Sequence, residues 1–139
     1  MTFPTLQVID AKSQLQTINV VPDNWPGWDA ATSTPIIQII SDTSAHILGP
    51  FAPQLTRPIW ITLNATASAS GAAQILRSTD AGLTKLAITS KSVPIGNYAF
   101  GGDLGVIVNE PIIIETDASA TYYLSITLTA GTVSVRIAQ

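Results

Sequence analysis

From Tyr122 onward the chain alternates. Tyr122, Leu124, Ile126 and Leu128 take one parity, and Tyr123, Ser125, Thr127 and Thr129 take the other. After Ala130-Gly131 the pattern resumes, with Val133, Val135 and Ile137 set against Thr132, Ser134 and Arg136. Successive side chains of an extended strand point to opposite faces, so a period of two demands strands with one buried face, whereas a helix would scatter these residues around its axis. Two such runs joined by a two-residue link containing glycine predict a terminal β-hairpin. The same period appears where Ile59, Ile61 and Leu63 alternate with Trp60, Thr62 and Asn64, ahead of a loop-like Ala/Ser/Gly stretch at 65–71. Residues 74–78 and 85–89 flank Thr79-Asp80-Ala81-Gly82 and predict a second hairpin. Residues 105–109 and 112–116, interrupted by Glu110-Pro111, are continuously apolar, which predicts strands covered on both faces, by a second sheet and by a neighbouring subunit. Pro111 cannot donate to a ladder and belongs at a strand start or a sheet edge. No segment requires a helix. The fold class is therefore all-β, with residues 57–139 supplying six or seven short strands for a small antiparallel β-sandwich or jelly roll.

The first 56 residues read differently. Residues 6–10 and 15–21 predict a hairpin around Ala11-Lys12-Ser13-Gln14, and 36–40 is a further strand. Between them Pro22-Asp23-Asn24-Trp25-Pro26-Gly27-Trp28-Asp29 has no periodicity, and Gly49-Pro50-Phe51-Ala52-Pro53 leads onward. Apolar strands separated by proline-rich links close a private core with difficulty, so residues 1–56 are expected to form an extended, strand-rich N-terminal arm or an appended hairpin.

The surface chemistry is unusual. Only 11% of residues are charged, while Ser and Thr together number 29; an average globular protein carries about 25% charged residues. Such a chain either buries surface against other subunits or is a monomer with a hydroxyl-rich surface. A net charge of -3 with six cations does not build the basic footprint that nucleic acid requires. With no cysteine, disulfides, thiolate metal sites and a Cys nucleophile are excluded. The longest apolar runs fall far short of the roughly 18 residues that span a bilayer, and Met1-Thr2-Phe3-Pro4 lacks the cationic flank of a signal peptide. The expectation is a protein made in the cytoplasm, with neither nucleic acid nor membrane as partner.

Catalytic constellations are sparse. His46 is the single histidine, so a His-based metal site has no second ligand of its kind and reads as an ordinary loop or interface residue. Glu110 and Glu115 have opposite parity and would point to opposite faces of one strand, which does not suit a glycosidase pair. Asp103 belongs to the glycine-rich loop 101–105, which lacks phosphate-cradling spacing. Asn64-Ala65-Thr66 is a chance glycosylation sequon. No catalytic residue and no cofactor is expected. Ser78-Thr79-Asp80-Ala81-Gly82-Leu83-Thr84-Lys85 resembles the Asp-box, Ser-x-Asp-x-Gly-x-Thr-Trp, a structural hairpin motif of sialidase propellers, with Lys85 in place of the tryptophan. One copy on this length does not make a propeller. In the turn, Asp80 is expected to accept from backbone amides and Gly82 to take a positive φ.

Two further stretches look like parts of small virion proteins of tailed bacteriophages. One is Leu6-Gln7-Val8-Ile9-Asp10-Ala11 followed by Gln16-Thr17-Ile18 and, later, Thr34-Pro35-Ile36-Ile37-Gln38-Ile39-Ile40-Ser41-Asp42, similar to a leader hairpin and strand in such proteins, with Ser13 near the place of the leader's glycine. The other joins Ile61-Thr62-Leu63, residues 74–82, Asn109-Glu110-Pro111, Ala120-Thr121-Tyr122-Tyr123-Leu124 and residues 131–139. The resemblance implies a non-enzymatic capsid decoration or cement protein, a homo-oligomer and commonly a homotrimer, on the virion surface. Its partners would be the major capsid protein and copies of itself, bound through Trp25, Trp28, Ile36, Ile37 and Phe51. The alternative is a tail or head fibre module recognising a host surface glycan by stacking Trp60, Tyr98 and Tyr123 on sugar rings.

Overall fold

Strands account for the regular structure in the computed structural model, which describes residues 5–9, 15–19, 33–101 and 104–139. The chain divides into two compact units, Met1–Thr32 and Ser33–Gln139. In the first, β1 (Thr5–Ile9) and β2 (Leu15–Asn19) pair antiparallel, with Thr5 opposite Asn19 and Ile9 opposite Leu15, which is the hairpin expected from the sequence. The segment carrying Trp25 and Trp28 lies outside the described residues.

The second unit is an antiparallel two-sheet sandwich. Its strands are β3 (Ile36–Ile40), β4 (Ala45–Phe51), β5 (Pro58–Ala65), β6 (Ser70–Ser78), β7 (Leu86–Ser90), β8 (Val93–Ile95), β9 (Asn97–Phe100), β10 (Val106–Ile114), β11 (Thr121–Ala130) and β12 (Val133–Ala138). One sheet runs β10-β5-β12-β3; the other runs β4-β11-β6-β7-β8, with β9 also paired to β6. The alternating residues face each other across the interior: Ile59, Ile61 and Leu63 of β5 and Val133, Val135 and Ile137 of β12 pack in one cluster with Ile75 of β6 and Leu124, Ile126 and Leu128 of β11. Fully burying each such side chain contributes roughly 1.5–3 kcal/mol, and this cluster is the main source of the fold's stability.

Three features differ from the sequence expectations. β11 and β12 do not form a hairpin. β11 pairs with β6 and β4, and β12 pairs with β5 and β3, so the Ala130-Gly131 link carries the chain from one sheet to the other as an arch. Each of the two strands buries one face in either arrangement, and the arch sets those faces against each other. β5–β6 and β3–β4 cross between the sheets in the same way, with Ile40 and Ala65 both opposite Val133 at the same end.

The sandwich also begins at Ser33 rather than after residue 56. β3 and β4, read above as part of the arm, are strands of the two sheets and bring Ile40, Leu48 and Phe51 into the core. Finally, the apolar run around Glu110-Pro111 is one strand, β10, at the edge of its sheet and not covered on both faces; Ile107 is 78% exposed. A bulge between Pro111 and Ile113 inserts one residue, so Ile112 and Ile113 both pack on the core, which erases the alternation. Pro111 on an edge strand agrees with its missing donor.

Candidate functional site

The buried polar groups gather at the end of the sandwich opposite the arches. Arg77 of β6 stands opposite Tyr122 of β11, and Glu115 follows the last residue of β10. Glu115 is 4% exposed and accepts from Arg77 Nε at 2.7 Å and Nη2 at 3.0 Å, from the backbone N–H of Thr116 and Asp117, and from the Tyr122 hydroxyl. The Arg77 bonds, more than the tyrosine and backbone donors, hold its carboxyl down at about 2 against the opposing effect of burial. Burial, with the Glu115 charge beside it, pushes the Tyr122 hydroxyl up. Every lone pair of Glu115 is engaged in holding this end together.

Beside it the C-terminal Gln139 acts as an amide clamp. Its Oε1 accepts from Ser33 Oγ at 2.8 Å and Gln54 N at 2.7 Å, and its Nε2 donates to the carbonyls of Gln54 at 2.9 Å and Arg57 at 2.8 Å.

The Asp-box-like turn joins β6 to β7, which pair through Leu76–Ala87 and Arg77–Leu86, so the hairpin expected there is present. Asp80 Oδ1 accepts from the Ser78 hydroxyl at 2.7 Å and the Thr84 N–H at 2.8 Å, and Ser78 Oγ accepts from the Gly82 N–H at 2.9 Å. These bonds, the Thr84 amide first, hold the Asp80 carboxyl at about 2. Gly82 takes φ 86°, and a Cβ there would stand 2.3 Å from the Tyr123 hydroxyl, so only glycine fits. Lys85, where the motif has tryptophan, donates to the Gly82 carbonyl at 2.6 Å and lies 4.8 Å from the centre of the Tyr123 ring. A groove of about 450 Å³ runs alongside, lined by Arg77, Asp80, Leu86 and Thr89 among others. Its two charged groups are already committed, to Glu115 and to the turn.

The other polar candidates are also placed. His46 sits on β4 with Nε2 2.6 Å from Asp42 Oδ1. Glu110 lies opposite buried Ile61, on the inward side of β10, and accepts from the Tyr98 hydroxyl of β9 at 2.6 Å. Glu115 lies beyond the strand, and the bulge removes the parity difference expected between the two acids. Among the described residues no three His, Asp or Glu side chains stand close enough to hold a metal ion. Asp103 lies outside them. Trp60, Tyr98 and Tyr123 form no common platform: Trp60 is on the outer face of the four-stranded sheet, Tyr98 bonds to Glu110, and Tyr123 is buried beneath Lys85.

What the sandwich does present is apolar surface at its sheet edges. On the outer face of the four-stranded sheet the rows Ile39-Ser134-Asn64-Ile107 and Ile37-Arg136-Thr62-Asn109 run strand to strand. The centre is polar, while Ile37 (72% exposed) and Ile39 (67%) mark one edge and Ile107 and Ile114 the other. Of the contact residues expected from the sequence, Ile37 is on this surface and Ile36 is half-buried against the core. Phe51 is 0% exposed and is a core residue, because the β4 strand that carries it closes the second sheet. Ile39, Ile107 and Ile114 were not singled out from the sequence. The signal for Ile39 lay in Ile36-Ile37-Gln38-Ile39-Ile40, where isoleucine occupies both parities.

The fold and this surface define an all-β sandwich with exposed apolar edges. Comparison with known protein families, with curated proteins and with solved structures finds no match.

Proposed function

We propose that this chain is a non-enzymatic structural protein that attaches to a larger protein assembly, and that the assembly is a viral capsid on which it acts as an oligomeric decoration or cement protein. The observation that carries the attachment is the set of exposed isoleucines at the edges of the four-stranded sheet, on a protein with little surface charge to keep such positions solvated. The capsid follows from the likeness of the strand and turn motifs to virion proteins. The separate N-terminal unit fits an attachment arm, with Trp25 and Trp28 as its anchors. A cement acts by linkage: it binds the assembled lattice and not the dissociated subunits, so each occupied site lowers the free energy of the intact shell, and many sites multiply the effect.

The test is to locate the chain on particles purified from cells that produce it, by immunogold labelling and copy number. Hundreds of copies over the head are expected; absence from the particles removes the capsid reading. Replacing Trp25 and Trp28 together with Ala is expected to weaken attachment by about 2 kcal/mol. Unchanged occupancy would exclude them as anchors.

A further inference from the structure

The four-stranded sheet has two unlike edges. β10 carries three features that block pairing with another strand: Pro111, the bulge at 111–113, and the inward-pointing Glu110. The edges of the other sheet are also protected. β4 contains Gly49-Pro50 and a register shift, β8 is three residues long with Pro94, and β9 has four residues with Tyr98 tied to Glu110. β3 has none of these. It pairs with β12 over five consecutive positions without a shift, from Ile36–Ile137 to Ile40–Val133, and contains no charge, no proline and no glycine. Its far side pairs with no described strand, so no described strand takes up its outward row of backbone donors and acceptors.

We propose that β3 pairs antiparallel with β3 of a second copy about a two-fold axis at Gln38, joining two four-stranded sheets into one of eight strands. The partner is identified by the sequence of the edge itself. Ile36-Ile37-Gln38-Ile39-Ile40 reads the same in both directions, and a two-fold contact requires a surface that is complementary to itself. The axis at Gln38 sets Ile37 against Ile39, Ile36 against Ile40, and Gln38 against Gln38. Ile37 and Ile39 of both copies then form one patch of four isoleucines on the outer face. Gln38 lies on the inward side opposite buried Val135 yet is exposed, because no described strand lies beyond it; two facing amides bond to each other there. Asp42 falls opposite Thr34, so no like charges meet. Ser41 falls opposite Pro35, whose missing N–H ends the ladder.

This pairing does not depend on the capsid reading, and it gives a dimer where the virion resemblance implies a trimer. The 139-residue chain contains no cysteine, so Gln38→Cys introduces a single thiol. Facing residues of an antiparallel pair have Cα atoms about 4.5–5.5 Å apart, within the range a disulfide spans. Light scattering is expected to give a dimer of the 14.6 kDa chain, and Gln38→Cys is expected to convert to a reducible covalent dimer while Ile107→Cys does not. Ile37→Lys with Ile39→Lys, which opposes like charges twice, is expected to raise the dimer Kd about tenfold or more. Ile37→Lys with Ile39→Glu, which opposes unlike charges in this register, is expected to restore pairing. A trimer, a chain monomeric up to about 0.1 mM where a micromolar dimer would be complete, or a dimer in which the Gln38→Cys variant fails to cross-link would each overturn the proposal. The cross-link stands as a test even where a lysine variant fails to fold.

Discussion

The two ends of the sandwich are closed by different chemistry. At the arch end the bonds between loops are few and lie at the surface: Thr66 N to the Thr132 carbonyl at 3.0 Å, Thr132 N to Thr66 Oγ1 at 3.4 Å, and the Ser70 and Thr129 hydroxyls at 2.5 Å. The apolar interior runs almost to this end, and short links between facing strands leave little backbone to satisfy. At the opposite end the chain must cross from β10 to β11 and bring residues 54–57 past the C-terminus. Those crossings leave the amides of Thr116, Asp117 and Gln54 in need of acceptors, and Glu115 and Gln139 supply them from within. One end therefore depends on shape and the other on a handful of polar atoms, so single substitutions should separate them.

The largest effect is expected from Glu115→Ala. It leaves the Arg77 guanidinium and two backbone amides without their acceptor, and the urea midpoint should fall by an amount equivalent to about 3 kcal/mol, with the m-value unchanged. A loss below about 1 kcal/mol would mean that Arg77 turns outward to water and that the two ends are alike after all. The same carboxylate contributes to the acid response, beside Asp80, which its turn also holds at about 2. The Glu115 value is about 2 in the fold against an ordinary 4.5, so it stabilises the fold fully above about pH 4.5 and progressively less as pH falls toward 2. Unfolding midpoints between pH 6 and pH 2.5 should drop in the native chain and drop less in Glu115→Gln, where Asp42, Asp80 and Asp117 still contribute.

At the arch end Gly131→Ala should cost about 2 kcal/mol. Gly131 has φ 79°, and a Cβ there would stand 2.4 Å from the Ala69 Cα, so two loops would have to part. Gln139→Ala, measured by thermal melting, should cost about 1.5 kcal/mol, since backbone groups at Gln54 and Arg57 lose partners but lie near water. Thr66→Val should cost only about 0.5 kcal/mol, since the hydroxyl's two bonds, to Thr132 N and Ser68 Oγ, are both long and exposed. If Thr66→Val proved as damaging as Gln139→Ala, the arch end would share the polar dependence of its opposite.

Strand existence was legible because burial imposes a period of two on β5, β11 and β12, and the β6–β7 turn was legible because its Ser, Asp, Gly and Thr bond within seven residues. Hairpin against arch was not. A glycine-containing link and alternating flanks serve both, and the choice depends on which distant strands compete for each edge: β6 and β4 for β11, β5 and β3 for β12. The Gly49-Pro50-Phe51 cluster read as a link because proline and glycine mark links elsewhere; here they form an irregular stretch within β4, where a Cβ on Gly49 would meet the Tyr122 carbonyl at 2.8 Å. Glu115 stood out as an acid, but its engagement by Arg77, 38 positions away in the chain, is a property of the assembled sheets.

Because β3 is held by β12, it waits until β12 has been made. Ile36–Ile40 is made well before its only described neighbour in the sheet, β12 at Val133–Ala138. While the intervening residues are being translated, a strand of four isoleucines lacks its described sheet neighbour. Pairings so distant along the chain form slowly, and open apolar strands are where nascent chains adhere to one another. The interval between translating residue 40 and residue 133 is thus when this protein most needs a chaperone, and slower elongation through that stretch should lower its soluble yield.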